Sequence, residues 1–201
     1  KILIMNILSL IVIVCQVLSQ PTSAVKSPHY ILDSAVRKIS QPEQFRMLLD
    51  NFGCTTEDLR GYPILFPINM QDARSSRISS GYGRRLHPIS NKIKTHKGID
   101  IAAPEGPPVY CAGNGRVVRA GYNTGYGWFV EIEHAGGFSS LYGHLDRVWM
   151  SSGDSVSIGE HIATVGHSGM ATGNHLHFEI KKNGIHWDPL EWFFNVAVLS
   201  E

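Results

Sequence analysis

From about Tyr62 onward the sequence breaks into short apolar or alternating runs separated by Gly-rich turns, and this texture restricts the chain to a β fold. Strands are expected at Val109–Cys111, Gly115–Ala120, Trp128–Glu133, Ser140–Tyr142, Ser155–Ile158, His161–Val165 and His175–Ile180. Gly113-Asn114-Gly115 and Asn123-Thr124-Gly125 supply turns. Val130-Glu131-Ile132-Glu133 alternates as a half-buried strand does. The expectation is a mainly β domain, an antiparallel sandwich or open barrel carrying a groove and preceded by a short helical segment. Gly153-Asp-Ser-Val-Ser-Ile-Gly159 has the outline of the hairpin in lipoyl- or biotin-carrier domains, but lacks the Lys such a carrier needs at its tip, and is read as a structural hairpin.

The 201 residues suffice for one domain with a core and a short additional segment. Net charge is +1, which gives no sign of nucleic-acid binding. Residues 1–24 read as an export segment: Lys1, an apolar run from Ile2 to Leu18 broken only by Asn6, Ser9 and Gln16, then Thr22-Ser23-Ala24. That order is a signal peptide's, with cleavage after Ala24. The run also approaches the ~20 residues of a bilayer span, so an uncleaved anchor is the alternative. Val14 is too bulky for Cys15 to belong to a lipoprotein signal. Both readings place the folded part outside the cytoplasm, in the periplasm or cell envelope or secreted.

Residues 25–61 read as a linker, over 25–40, and a short helix. Ser40 caps it, Pro42 enters its first turn, and Glu43 lies three residues after the cap. Phe45, Met47, Leu48, Leu49 and Phe52 form its apolar stripe, and Gly53 ends it. The helix packs on the main domain or partly covers its groove. Cys54 and Cys111 allow at most one disulfide within the folded part; two small buried hydrophobes are the preferred reading. Without a CxxC pair, no thiolate metal site is expected.

Three histidine clusters carry the chemistry. In His96-Lys-Gly-Ile-Asp100, positions i and i+4 share a face of an extended strand; in His175-Leu-His177, i and i+2 do so, and Leu176 points into the core. Tyr142-Gly-His144-Leu145 sits at a strand end. Two ligands from one strand and one from another would form a rigid three-point mount. His, Asp and His are donors suited to Zn²⁺, and three of them leave a fourth tetrahedral position open for water, as catalytic sites do.

The HxxxD, YxHL and HxH sets, in this order, resemble the lysostaphin/LytM-type zinc endopeptidases. The likeness continues through Ser80-Gly-Tyr-Gly-Arg-Arg-Leu-His-Pro88, Asp100-Ile-Ala-Ala-Pro104, Gly166-His-Ser-Gly169 and Thr172-Gly-Asn-His-Leu-His-Phe-Glu179. Small departures at Asn91, Pro107 and Cys111 touch no ligand. The resemblance implies a catalytic domain over 62–195. It implies one Zn²⁺ per chain on His96, Asp100 and His177, with His175 as general base. His144 would orient the water or stabilise the oxyanion, and His87 would stand at the groove wall as a substrate-binding residue. It also implies peptidoglycan stem or cross-bridge peptides as substrate; the chain is expected to be a monomer. No nucleic acid is involved, and a membrane only through an uncleaved anchor. His134, His161, His167 and His186 match no catalytic position and are read as surface or turn residues. Glu179 is read as a strand-end surface residue; Tyr126 and Trp128 either line a substrate groove or pack in the core or at the rim. The competing functions are a non-catalytic activator of cell-wall amidases and a wall-binding module. The first would have lost metal ligands; the second would need neither His144 nor His175.

Overall fold

The structure, a computed structural model, describes residues 32–33, 35–52, 56–69, 76–86 and 92–197. Residues 1–24, expected to direct export, and Gly53, Cys54 and His87 lie outside them. The strands are β1 (Arg77–Ser80), β2 (Gly83–Leu86), β3 (Ile93–His96), β4 (Ile99–Ala102), β5 (Pro108–Tyr110), β6 (Gly115–Asn123), β7 (Gly127–His134), β8 (Phe138–Val148), β9 (Ser155–Val156), β10 (His161–Val165), β11 (His175–Lys182) and β12 (Ile185–Trp187). Ten of them form one sheet, whose main path runs β1-β4-β11-β8-β7-β6-β9. β12 extends the edge of β11, and β10 joins β8 to β5. β2 and β3 form a separate two-stranded hairpin. The pairings are antiparallel throughout.

β11 shows how the sequence sets the two faces. In His-Leu-His-Phe-Glu-Ile-Lys-Lys, Leu176, Phe178 and Ile180 are fully buried in the core, so His175, His177, Glu179 and Lys181 fall on the opposite face. Lys182 is on the core side; its ammonium donates to the Gly136 carbonyl and lies over the Phe138 ring. Burial pulls its pKa down to about 8.

β8 changes neighbours partway. Phe138–Gly143 pairs with β11, whereas Leu145 and Val148 pair with β10. The pivot is His144, whose φ of 59° is left-handed backbone that a non-Gly residue rarely adopts. It is locked by its N–H to the Tyr126 carbonyl (2.6 Å) and by the Gly166 N–H to its own carbonyl (3.1 Å). His144 therefore stands inside a bent strand, not at a strand end.

The complete α-helices among the described residues are α1 (Pro42–Phe52), α2 (Thr56–Leu59) and α3 (Pro189–Ala197), and Leu32, Asp33, Ala35 and Val36 are also helical. The cap of α1 lies one residue later than Ser40 and Glu43 suggest: the Gln44 side-chain oxygen accepts from the Gln41 and Ser40 N–H groups. Phe45 packs edge-on to Tyr62 (5.3 Å) and against Trp192 of α3 (4.8 Å), and Trp192 lies 4.6 Å from Phe138. The helix thus packs on the domain, and Phe45, Leu48 and Leu49 are buried there. Residues 32–39, expected as part of a polar linker, also bury Leu32, Ala35, Val36 and Ile39 in the core. Cys111 is a free, buried thiol donating to the Gly113 carbonyl; burial pushes its pKa up to about 11, consistent with a small core residue.

Phe45→Ala should lower the unfolding free energy by about 3–5 kcal/mol, as buried Phe→Ala changes do. Urea denaturation measures this; a loss below about 1 kcal/mol would contradict the packing of α1 on the sheet.

Candidate metal centre

His96 and Asp100 do not share a strand, as the i and i+4 spacing suggests. His96 is the last residue of β3, and Lys97-Gly98 carries the chain from the hairpin into the main sheet, where Asp100 is the second residue of β4. Gly98 permits this crossing, since a Cβ there would lie 2.1 Å from the Phe178 carbonyl oxygen. Asp100 stands directly opposite His177 in the β4–β11 register. His96 Nε2, Asp100 Oδ1 and His177 Nδ1 converge: 3.1 Å from His96 to Asp100, 3.1 Å from His96 to His177, and 2.8 Å from His177 to Asp100. Among the described residues, these three are the His/Cys/Asp/Glu group whose ligand atoms lie close enough for one ion.

The surroundings fix which atoms face inward. His96 Nδ1 lies 2.7 Å from the Gly81 carbonyl, which can only accept; Nδ1 therefore carries the hydrogen and Nε2 presents a lone pair. His177 Nε2 lies 3.1 Å from Glu179 Oε1, which leaves Nδ1 as its inward donor atom. Arg85 Nη2 donates to Asp100 Oδ2 (3.1 Å), so Oδ1 is the free oxygen. Burial works to raise the Asp100 pKa, but the adjoining His177 and His96 imidazoles outweigh it and hold the carboxyl well below the usual carboxylate range. Burial disfavours charge on His177; the Asp100 and Glu179 carboxylates overcome this and raise its pKa. A divalent cation at the convergence point would supply the positive charge that this proton supplies. Two imidazoles and one carboxylate with outer partners already in place match a Zn²⁺ donor set.

His175 and His144 flank the triad. Each donates from Nδ1 to a carbonyl, His175 to Gly173 and His144 to Ser168, both at 2.8 Å. With the hydrogen on Nδ1, the neutral form of either ring turns a lone pair at Nε2 to its free side. Their ring centroids are 4.6 Å apart, and His175 Nε2 lies 3.7 Å from Asp100 Oδ1. Burial lowers the His144 pKa to about 4, partly offset by the Ser168 carbonyl, so it is neutral near pH 7.

Glu179 is not a surface residue. β11 runs on to Lys182, so Glu179 is mid-strand, 1% exposed, and directly behind His177. It accepts from His177 Nε2, from Tyr126 Oη (2.7 Å) and from His186 Nε2 (3.0 Å). Burial works to raise its pKa, and these partners, His177 first, hold it far below the carboxylate range. The signal was present in the sequence: Glu179 is two residues from His177, on the same strand face. Tyr126 stacks on the His177 ring at 5.6 Å and lines the groove, whereas Trp128 is about half exposed beside Tyr122. His134, expected at the surface, is buried, with Nδ1 donating to the Asn114 carbonyl and Nε2 on Ser140 Oγ. His161 and His167 are exposed, as read. The groove over the triad measures about 450 Å³, enough for a short peptide. No described residue of α1 lines it.

Fold and site together define a domain of metallopeptidase type. Residues 94–189 match the model of Peptidase family M23, so this part of the chain is a Peptidase M23 domain. It is 37% identical over 152 residues to the peptidoglycan DD-endopeptidase ShyC of Vibrio cholerae, covering 75% of this chain and 35% of that protein. The chain thus spans about a third of that relative's length. Among solved structures, a zinc-containing peptidase from Vibrio cholerae is 34% identical, with a TM-score of 0.56 over 61% of this chain and 37% of that one. The catalytic domain of the antimicrobial peptidase lysostaphin from Staphylococcus simulans is 27% identical, with a TM-score of 0.55 over 63% of this chain and 98% of that one. These matches bear out the resemblance drawn from the sequence motifs.

Glu179→Gln should weaken zinc binding by about 10–100-fold, the usual cost of losing an outer partner of a ligating histidine. Competition titration with a chelator measures this; unchanged affinity would show that Glu179 does not support His177.

Proposed function

We propose that this chain is a zinc-dependent endopeptidase that hydrolyses peptide bonds in the stem or cross-bridge peptides of peptidoglycan, outside the cytoplasm. The observation that carries the reading is the pair of Nε2 lone pairs, from His144 and His175, beside an open His96–Asp100–His177 triad. The name of its relative ShyC supports peptidoglycan as substrate, and the zinc-containing relative supports the metal. The export segment of the sequence supports the location. Among the described residues, no helix is long and apolar enough to cross a membrane.

Zinc, when bound, supplies Lewis acidity toward the peptide carbonyl and makes water more acidic. The chain's own residues do the rest. His175 accepts the proton of the attacking water and delivers it to the leaving amine. His144 accepts the water's second hydrogen and so orients it. Its Nδ1 is committed to the Ser168 carbonyl and burial keeps the ring neutral, so it has no proton at Nε2 for an oxyanion. Water orientation is therefore favoured over the oxyanion role. The complete triad and both flanking histidines favour an enzyme over an amidase activator or a wall-binding module.

Mass spectrometry of purified peptidoglycan after digestion should show new peptide ends that disappear with a chelator. Intact stem and cross-bridge peptides after digestion by the zinc-loaded chain would overturn the reading. His177→Ala should lose zinc and activity together; stoichiometric zinc in that variant would contradict the ligand assignment. His144→Ala should keep zinc and lose about 10²–10⁴-fold in turnover; a wild-type rate would leave His144 a purely structural residue.

A further inference from the structure

One wall of the groove is cationic, and nothing in the proposed hydrolysis uses its charge. The β2–β3 hairpin builds this wall. Its register sets Arg85 opposite Lys94 and Gly83 opposite His96. Because strand faces alternate, Arg85, Lys94 and His96 share the face turned to the groove, and all three line it together with Lys97. Like charges directly opposite each other weaken a hairpin, so the Arg85–Lys94 pair has no folding rationale. Arg85 is partly neutralised by Asp100, while its buried Nε has no hydrogen-bond partner. Among the described residues, the Lys94 and Lys97 side chains make no hydrogen bond or ion pair, and both residues are exposed.

The rest of the groove does not balance these charges. Its carboxylates, Asp100 and Glu179, are committed to His96, His177, Arg85, Tyr126 and His186. The far wall, with His144, Met170, Thr172 and His175, carries no fixed charge. Lys94 is two residues from His96, roughly 7 Å along the strand. That distance is one to two residues of an extended peptide whose scissile carbonyl sits at the triad.

We propose that Lys94, supported by Lys97 and Arg85, forms a subsite for a free carboxylate on a residue flanking the scissile bond, making an anionic peptide the preferred substrate. This rests on the peptidase reading and narrows it: neutral bridges such as oligoglycine fit the subsite poorly, and stem peptides with unamidated carboxylates fit it well. Lys94 acts as a specificity residue: it forms an ion-paired hydrogen bond with a carboxylate, whereas an amide oxygen can accept from the ammonium but brings no opposite charge. The preference should weaken with salt, as exposed charge pairs do.

The test uses two synthetic cross-linked stem peptides that differ only in bearing free carboxylates or primary amides on the residues flanking the scissile bond. Binding is read by fluorescence anisotropy to the zinc-loaded full chain carrying His175→Ala, and cleavage by the unmodified chain. The carboxylate peptide should bind about 10-fold more tightly than the amide. Adding Lys94→Gln should abolish the difference and Lys94→Glu should reverse it, with zinc content unchanged in both. Equal binding of the two peptides, or a carboxylate preference that survives Lys94→Glu, overturns the subsite. A carboxylate preference in binding without cleavage of either peptide removes the peptidase reading and leaves the subsite. Cleavage of both peptides with equal kcat/KM removes the subsite and leaves the peptidase reading.

Discussion

The register of β4 against β11 is the constraint on which the site depends. It places Asp100 opposite His177 and His175 opposite Ala102, and it keeps Leu176 and Phe178 in the core. A slip of one residue would turn both histidines inward and expose the apolar side chains, so core burial and the convergence of His96, Asp100 and His177 depend on the same pairing. Gly98 holds this register from the other side, because only a residue without a Cβ can pass the Phe178 carbonyl on the way from His96 to Asp100.

Around this pairing the structure spends several buried charged groups, each with a partner. Glu179 receives three hydrogen bonds behind His177, and Arg85 holds the outer oxygen of Asp100. Further out, Lys181 bonds Glu131 at 2.7 Å, and Arg119 also pairs with it. Burial works to raise the Glu131 pKa, but Lys181 and Arg119 keep it lowered. Unpaired, such groups would be costly in a low-dielectric interior; paired, they restrict the rotamers of the ligands they touch. The bent strand at His144 adds a strained backbone position, held by two main-chain hydrogen bonds, beside the groove.

Much of this was legible in the residues. The strands after Val109 announced themselves because their apolar positions alternate between glycine turns, and His161–Val165 matches β10 at both ends. β1, β2 and β3 gave no such signal: Arg77-Ile-Ser-Ser, Gly83-Arg-Arg-Leu and Ile93-Lys-Thr-His are short and polar, and bury little. Treating His96 to Asp100 as one strand followed from that gap. α3 was overlooked although Asp188 before Pro189 marks its start, and the Asp188 carboxylate does accept the Leu190 N–H. Glu179 was misread because charge near an expected strand end suggests solvent, whereas its place on the face of His177 pointed to the site. The three-atom convergence of the ligands was anticipated, but the hydrogen bonds that select their inward atoms come from Gly81, Arg85 and Glu179, which only tertiary structure assembles.

The central claim is that two imidazoles and one carboxylate hold a zinc ion here with no thiolate. X-ray absorption at the zinc edge of the metal-loaded chain tests it most directly. The account predicts four nitrogen and oxygen neighbours at about 2.0–2.2 Å, with outer-shell scattering from two imidazole rings. A sulfur neighbour at about 2.3 Å, or a shell without imidazole scattering, would contradict it.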